Sequence, residues 1–184
     1  NNDLKITSED GDDVFPQILL TNSHDGKNSF VFTAGLFRLV CENGLVISTQ
    51  EFSSVKIRHY GYSFEELQKG INDMVENLPL TIESINNFKS IELGQQEMLE
   101  FAQKAIDIRF DQENTEGVDL QDLLYPTREE DKGTDLWSVY NTIQEKLTKG
   151  DFQIKSGSKS RKVRRIKNFK QDISLNEKLF ELAL

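Results

Sequence analysis

Lys155, Lys159, Arg161, Lys162, Arg164, Arg165, Lys167 and Lys170 all fall within the stretch KSGSKSRKVRRIKNFK, which contains no acidic residue. The chemistry open to such a run is phosphate neutralisation, because each Lys or Arg that meets a nucleic-acid phosphate releases a condensed counterion. Arg161, Arg164 and Arg165 are the strongest candidates, since a guanidinium fork matches two phosphate oxygens at once. Phe152 and Phe169 flank the run, where they would stack bases as aromatic side chains do in single-strand binders. The whole chain carries 22 basic and 31 acidic side chains, a net charge of −9, so these cations are concentrated against the charge of everything around them. A second pair, Lys56 and Arg58, alternates with Val55 and Ile57 and so shares one face of an extended segment. The nucleic-acid-binding set read from the sequence is therefore Lys56, Arg58, Lys159, Arg161, Lys162, Arg164, Arg165 and Lys167. Two plainer accounts compete with it: pairing with the surplus acids of the same chain, or a solvated loop loosened by Gly157 and its flanking serines.

Other chemistry-bearing residues point nowhere as clearly. Asp107, Asp111, Glu129, Glu130, Asp131 and Asp135 would serve a metal-dependent nuclease if several converged; otherwise they make a solvated acidic surface. His24-Asp25-Gly26 reads as a turn, and His59, the other histidine, falls on the apolar side of its strand. Cys41 is the sole cysteine, sits in an apolar run, and reads as a small hydrophobe with no internal disulfide partner. No Walker-type glycine loop, G-x-S-x-G elbow or H-E-x-x-H is present. The expectation is a binding protein with no catalytic residue, no metal and no cofactor. A metal-dependent nuclease and a regulatory module with a basic docking loop remain as alternatives.

The elements that must position the basic run follow from patterning. Length and a hydrophobic content of 36% predict one domain over 14–184 behind a flexible acidic lead-in over 1–13. The absence of a long apolar run and the acidic start predict no membrane segment, and the single cysteine, Cys41, fits a cytoplasmic protein. The first residue, Asn1, and an end inside a helical pattern read as a fragment of a longer protein. Apolar runs at Gln17–Thr21 and Ser29–Val40, an Asn43-Gly44 turn before LVIST, and Val55–His59 predict about four antiparallel strands. Ser63 and Glu66 form a capping box ahead of Leu67, Ile71, Met74, Val75 and Leu78 at helical spacing, with Pro79 as an end or a kink before Ile82, Ile85 and Phe88. Further helices are predicted from about Gln95 to Arg109, briefly through Leu120 and Leu124, after Thr134 with Leu136, Trp137, Tyr140, Ile143 and Leu147 inward, and after a second capping box at Ser174 and Glu177. The fold class expected is α+β, an antiparallel sheet of about four N-terminal strands packed against the helices that follow, with Phe30, Phe32, Val55 and Ile57 on its buried face.

The succession NSHDGKNSF, GLFRLVCENGLVIS, VKIRHYG, LWSVYNTIQEKL and RKVRRIKNFKQDISLNEKLFELA resembles the domain-of-unknown-function 932 family, whose members are phage/plasmid-like proteins. The likeness covers most of the chain from about Leu20, with Arg38-Leu39-Val40-Cys41, Asn43-Gly44 and Tyr140-Asn141 its most specific pieces. It implies mobile-element biology, in which handling of single-stranded DNA during recombination or replication is an expected task, and it transfers no active site.

Overall fold

The computed structural model describes residues 14–21, 30–38, 44–45, 55–57, 64–110, 117–156 and 159–184. The chain divides into two compact units, Asn1–Glu83 and Ser84–Leu184, where the sequence reads as one domain. The expected lead-in over 1–13 lies outside the described residues, as do Cys41, His24 and His59.

In the first unit, β1 (Val14–Thr21) and β2 (Phe30–Arg38) form one antiparallel ladder, in register from Val14↔Arg38 to Thr21↔Val31. β3 (Gly44–Leu45) and β4 (Val55–Ile57) are stubs of two and three residues that pair with β2. Leu45 lies opposite Leu36 and Gly44 opposite Phe37, while Asn43 of the expected Asn-Gly turn lies outside the described residues. The helix α1 (Phe64–Ser90) then runs for 27 residues with Pro79 inside it.

The second unit is helical. It contains the end of α1, α2 (Gln95–Phe110), the short α3 (Leu120–Leu124), a 3-10 turn at Glu129–Asp131, α4 (Leu136–Lys149) and α5 (Phe169–Ala183). A two-stranded antiparallel hairpin, β5 (Gln153–Ser156) with β6 (Lys159–Lys162), lies between α4 and α5 in the chain. α4 is the centre. Asp135 caps it, its Oδ1 accepting the Ser138 N–H at 3.0 Å, while Thr134, just before it, donates its hydroxyl to Glu92. Every residue from Leu136 to Leu147 is buried. The apolar side meets an aromatic group: Phe180 of α5 lies 5.4 Å from Phe88 and 6.3 Å from Tyr140, and Tyr140 stacks on Trp137 at 5.9 Å. The polar side is covered by the segment around α3 and the 3-10 turn. There Glu145 accepts from Arg128 at 2.7 Å and Thr127 at 3.0 Å, and Lys146 donates to the Asp122 carbonyl at 2.6 Å. Burial of a helix on both sides demands such pairing, because an unpaired charge in the interior is expensive.

These observations correct the expected fold class. Among the described residues the fold is mostly helical, the N-terminal strands form one long β1–β2 ladder to which only the short β3 and β4 are added, and the core is built from helices and the β5–β6 hairpin. The physical reason is that short apolar runs rich in β-branched and aromatic residues score as strands one by one. A sheet, however, needs several strands of useful length in register. The side chains of Phe30, Phe32, Val55 and Ile57 lie outside what is described, although their backbones pair as Phe30↔Ile57 and Phe32↔Val55. Among the described residues, no helix is long and apolar enough to cross a membrane.

Candidate nucleic-acid interface

The basic run is built onto the C-terminal end of α4. That helix stops at Gly150, whose φ of 73° is the left-handed conformation that favours glycine. A side chain at Gly150 would also come within 2.5 Å of the Arg164 backbone, so two demands fall on this one residue. Phe152 and Ile154 are buried, and β5 is joined on one edge by Gly117, whose carbonyl accepts the Lys155 N–H at 2.8 Å. On its other edge β6 pairs from Gln153↔Lys162 to Ser156↔Lys159.

All four residues of β6 are exposed. The chain then crosses back over the end of α4 as an extended strap. Val163 is buried and donates its N–H to the Phe152 carbonyl at 3.0 Å; Ile166 donates to the Thr148 carbonyl at 2.9 Å. Between and beyond these anchors Arg164, Arg165 and Lys167 are exposed. Asn168 closes the strap by capping α5, its Oδ1 accepting the Lys170 N–H at 2.9 Å. The loosely held loop that Gly157 suggested is thus a pinned backbone over 159–168, with residues 157–158 outside the described set. The Ser174–Glu177 pair, read as a helix start, lies inside α5; Asn168 starts the helix earlier, and a local S-x-x-E signature does not stop a helix already begun.

Electrostatics of the strap are set by two acids. Asp151 holds Lys162 at 2.9 Å, and the hydrogen bond from Lys162 keeps the exposed Asp151 carboxyl below its ordinary range. Asp172, in the first turn of α5, is half-buried; desolvation pushes its carboxyl above the ordinary range, against the opposing pull of Arg165 and Arg109. Arg109 comes from the far end of α2, donates to the Leu147 carbonyl at 3.3 Å, and is itself lowered by burial. Arg165, Lys167, Asn168 and Asp172 line one shallow hollow. Cations here also face the negative end of α4, which favours them irrespective of any ligand.

Lys159, Arg161 and Lys162 lie on β6 and Arg164, Arg165 and Lys167 on the strap that follows it, all six exposed. Lys56 sits in β4 opposite Val31, and Arg58 lies outside the described residues. The stacking role expected of Phe152 is corrected. It is 2% exposed and packs edge-on against Phe110 at 6.3 Å, so its ring belongs to the core. Arg109 and Asp172, which complete the local field, come from distant parts of the sequence and carried no local signal. Of the six acids that a nuclease would need to gather, four are engaged locally, and Asp111 lies outside the described residues. Asp107 accepts from Gln103, Glu129 pairs with Lys132, Asp135 caps α4, and Asp131 is buried with Arg128 at 3.9 Å. Among the described residues, no three His, Cys, Asp or Glu side chains converge as a metal site.

Asp172 yields a pH prediction. Its folded-state pKa is raised above the ordinary value of 3.8, so the stability linked to its proton is fully present below that value and is lost as pH rises through the folded one. Asp172→Asn is therefore expected to be at least as stable as the parent at neutral pH, with its advantage shrinking as pH falls toward the ordinary carboxylate range. Urea midpoints of both proteins across that range test this; a variant clearly weaker at pH 7 would mean that attraction to Arg165 and Arg109 outweighs desolvation.

A family described as Domain of unknown function (DUF932) matches residues 2–180. Two proteins of Escherichia coli (strain K12), UPF0380 protein YafZ and UPF0380 protein YfjQ, are each 31% identical to this chain over 169 residues. Each alignment covers 91% of this chain and 61% of the relative, so the chain spans less than two thirds of their length. No solved structure matches.

Proposed function

The chain belongs to the DUF932 family, and within that family we propose that it is a non-catalytic nucleic-acid-binding protein whose basic strap holds single-stranded DNA. The observation that carries this reading is the arrangement of Arg161, Arg164, Arg165 and Lys167, all exposed on a backbone pinned by the Val163 and Ile166 N–H groups. A track ordered before it meets its ligand avoids part of the entropy cost of ordering on binding. Phosphates, and not bases, are the natural targets, because long cationic side chains on an edge strand and an extended strap suit a repeating charge. In this reading the protein works for a mobile element in a bacterial cytoplasm, where recombination or replication exposes single strands.

The test is binding of labelled homopolymeric and mixed oligonucleotides, single- and double-stranded, over a range of salt. With about four phosphate contacts to a single strand, log affinity against log salt has an expected slope near −3, from about −0.7 per contact, and little dependence on sequence. No binding to DNA or RNA at low salt would overturn the reading. Divalent-metal-dependent cleavage of the same oligonucleotides would replace it with the nuclease alternative.

A further inference from the structure

In the helical unit Arg128 meets Glu145 at 2.7 Å and Lys146 meets Asp122 at 3.6 Å, so these cations leave water against an acid. Arg109, half-buried in the last turn of α2, makes no ion pair among the described residues. Its Nε donates to the Leu147 carbonyl at 3.3 Å and its guanidinium carbon lies 5.2 Å from the centre of the Phe110 ring, which fixes the group from two sides. Its terminal nitrogens have no hydrogen bond among the described residues. Arg109 lines a cleft of about 140 Å³ between the end of α2 and α5, where Gln171, Ser174 and Lys178 line it from α5 beside the apolar Leu175 and Ile166. The spacing of three and four residues puts those three polar groups on one face of their helix. Their side chains also have no hydrogen bond or ion pair among the described residues. In a chain of net charge −9, no acid is among the described residues that line this cleft. Asp172, which attracts Arg109, lines the neighbouring hollow instead.

Two cations with a hydroxyl and an amide as further donors select an oxyanion. Size sets how much of a ligand enters. At roughly 30 Å³ per water the cleft takes a group of about four or five waters' size, well short of the roughly 300–1,000 Å³ that encloses a whole drug-sized molecule. A phosphate enters, and the sugar and base that it carries stay outside. A terminal phosphate monoester offers three acceptor oxygens and a charge of about −1.5 to −2, more than the single charge of a phosphodiester inside a strand, and so makes fuller use of four donor side chains. We propose that the cleft receives the terminal phosphate of a single strand lying on the strap, so that the protein recognises a strand end. This rests on the strap reading. The cleft shares Ile166 with the hollow lined by Arg165 and Lys167, so a strand held by those two cations has the cleft beside it. Tethering makes a small site effective: with about 1 mM for the dissociation constant of the cleft alone and about 10 mM for the effective concentration of a tethered end, the preference is about tenfold.

Fluorescence anisotropy of the full chain tests this with one internally labelled oligonucleotide carrying a 5′-phosphate, a 3′-phosphate or hydroxyls at both ends. The expected result is that one phosphorylated form binds at least about tenfold tighter than the hydroxyl form. Lys178→Ala combined with Ser174→Ala should reduce that preference to within about twofold and leave binding of the hydroxyl form within about twofold of the parent's. Changing Arg161, Arg164 and Arg165 to alanine should weaken every form and keep the ratio between them. Far-UV circular dichroism confirms that each variant keeps its helices. Equal binding of all three forms by the parent overturns the end-recognition proposal while leaving the strap reading standing, whereas binding of none removes both. A preference that survives the double variant, or that a hydroxyl-ended strand one nucleotide longer reproduces, also overturns it. So does a nucleoside monophosphate that binds as tightly as the phosphorylated strand, which would assign the cleft to a small phosphate ester.

Discussion

Phe180→Ala is expected to destabilise the helical unit by about 3–5 kcal/mol, the range for truncating a fully buried aromatic. Phe180 is 1% exposed, and its ring contacts both Phe88 of α1 and Tyr140 of α4, so one deletion opens a gap where three helices meet. Relaxation into that gap is limited. α4 is buried on all sides from Leu136 to Leu147 and tied on its polar face by Arg128 and Thr127 to Glu145, so it cannot slide toward α5 without breaking those bonds. The loss includes the vanished dispersion contacts as well as the transfer term. Chemical denaturation of parent and variant measures it, and a change under about 1 kcal/mol would place Phe180 outside the core.

Where the sequence was readable, one local signal agreed with the tertiary outcome. The start of α1 at Phe64 follows its Ser63–Glu66 signature, and α2 begins at Gln95 and ends one residue beyond the expected Arg109. Gly150 ends α4 because left-handed backbone is a local requirement that only the residue itself meets cheaply. Where the sequence misled, a correct local pattern was overruled. Ser174 and Glu177 match a helix start, but Asn168 lies upstream and caps first. The polar face of α4, which patterning assigns to solvent, is buried because the segment from Asp122 to Asp131 supplies partners for Glu145 and Lys146. No periodicity argument on α4 alone could reveal that cover.

The candidate site divides in the same way. Its cations were legible as composition, because eight basic residues without an acid stand out in an acidic chain. Their scaffold was not. That Val163 and Ile166 face inward while Arg164 and Arg165 face outward depends on hydrogen bonds to Phe152 and Thr148, and Phe152 was assigned to the ligand when it belongs to the core. An aromatic beside a basic run has the same sequence appearance in either role, and burial alone separates them.

Replacing Arg161, Arg164 and Arg165 together by alanine is expected to weaken single-strand binding by about 100-fold at 0.1 M monovalent salt. The figure follows from counterion release: each lost contact removes about 0.7 from the salt slope, and one decade below 1 M salt three contacts account for about two logarithmic units. The measured slope should accordingly fall from near −3 toward about −1. The loss is expected to be uniform across sequences, as for contacts to phosphates. Folding should be nearly unchanged, within about 0.5 kcal/mol, because all three side chains are exposed and the strap's anchors, Val163 and Ile166, remain. Lys162→Ala alone should do less than any one of the three arginines, since Asp151 already holds Lys162. Asp172→Asn removes a negative charge beside Arg165 and should shift affinity the opposite way, which separates the position of charge on this strap from the net charge of the chain. Fluorescence anisotropy of a labelled single strand reads all of these. If the triple variant bound as tightly and with the same slope as the parent, the strap would not be the interface, and its cations would be left with the role that α4's negative end already gives them.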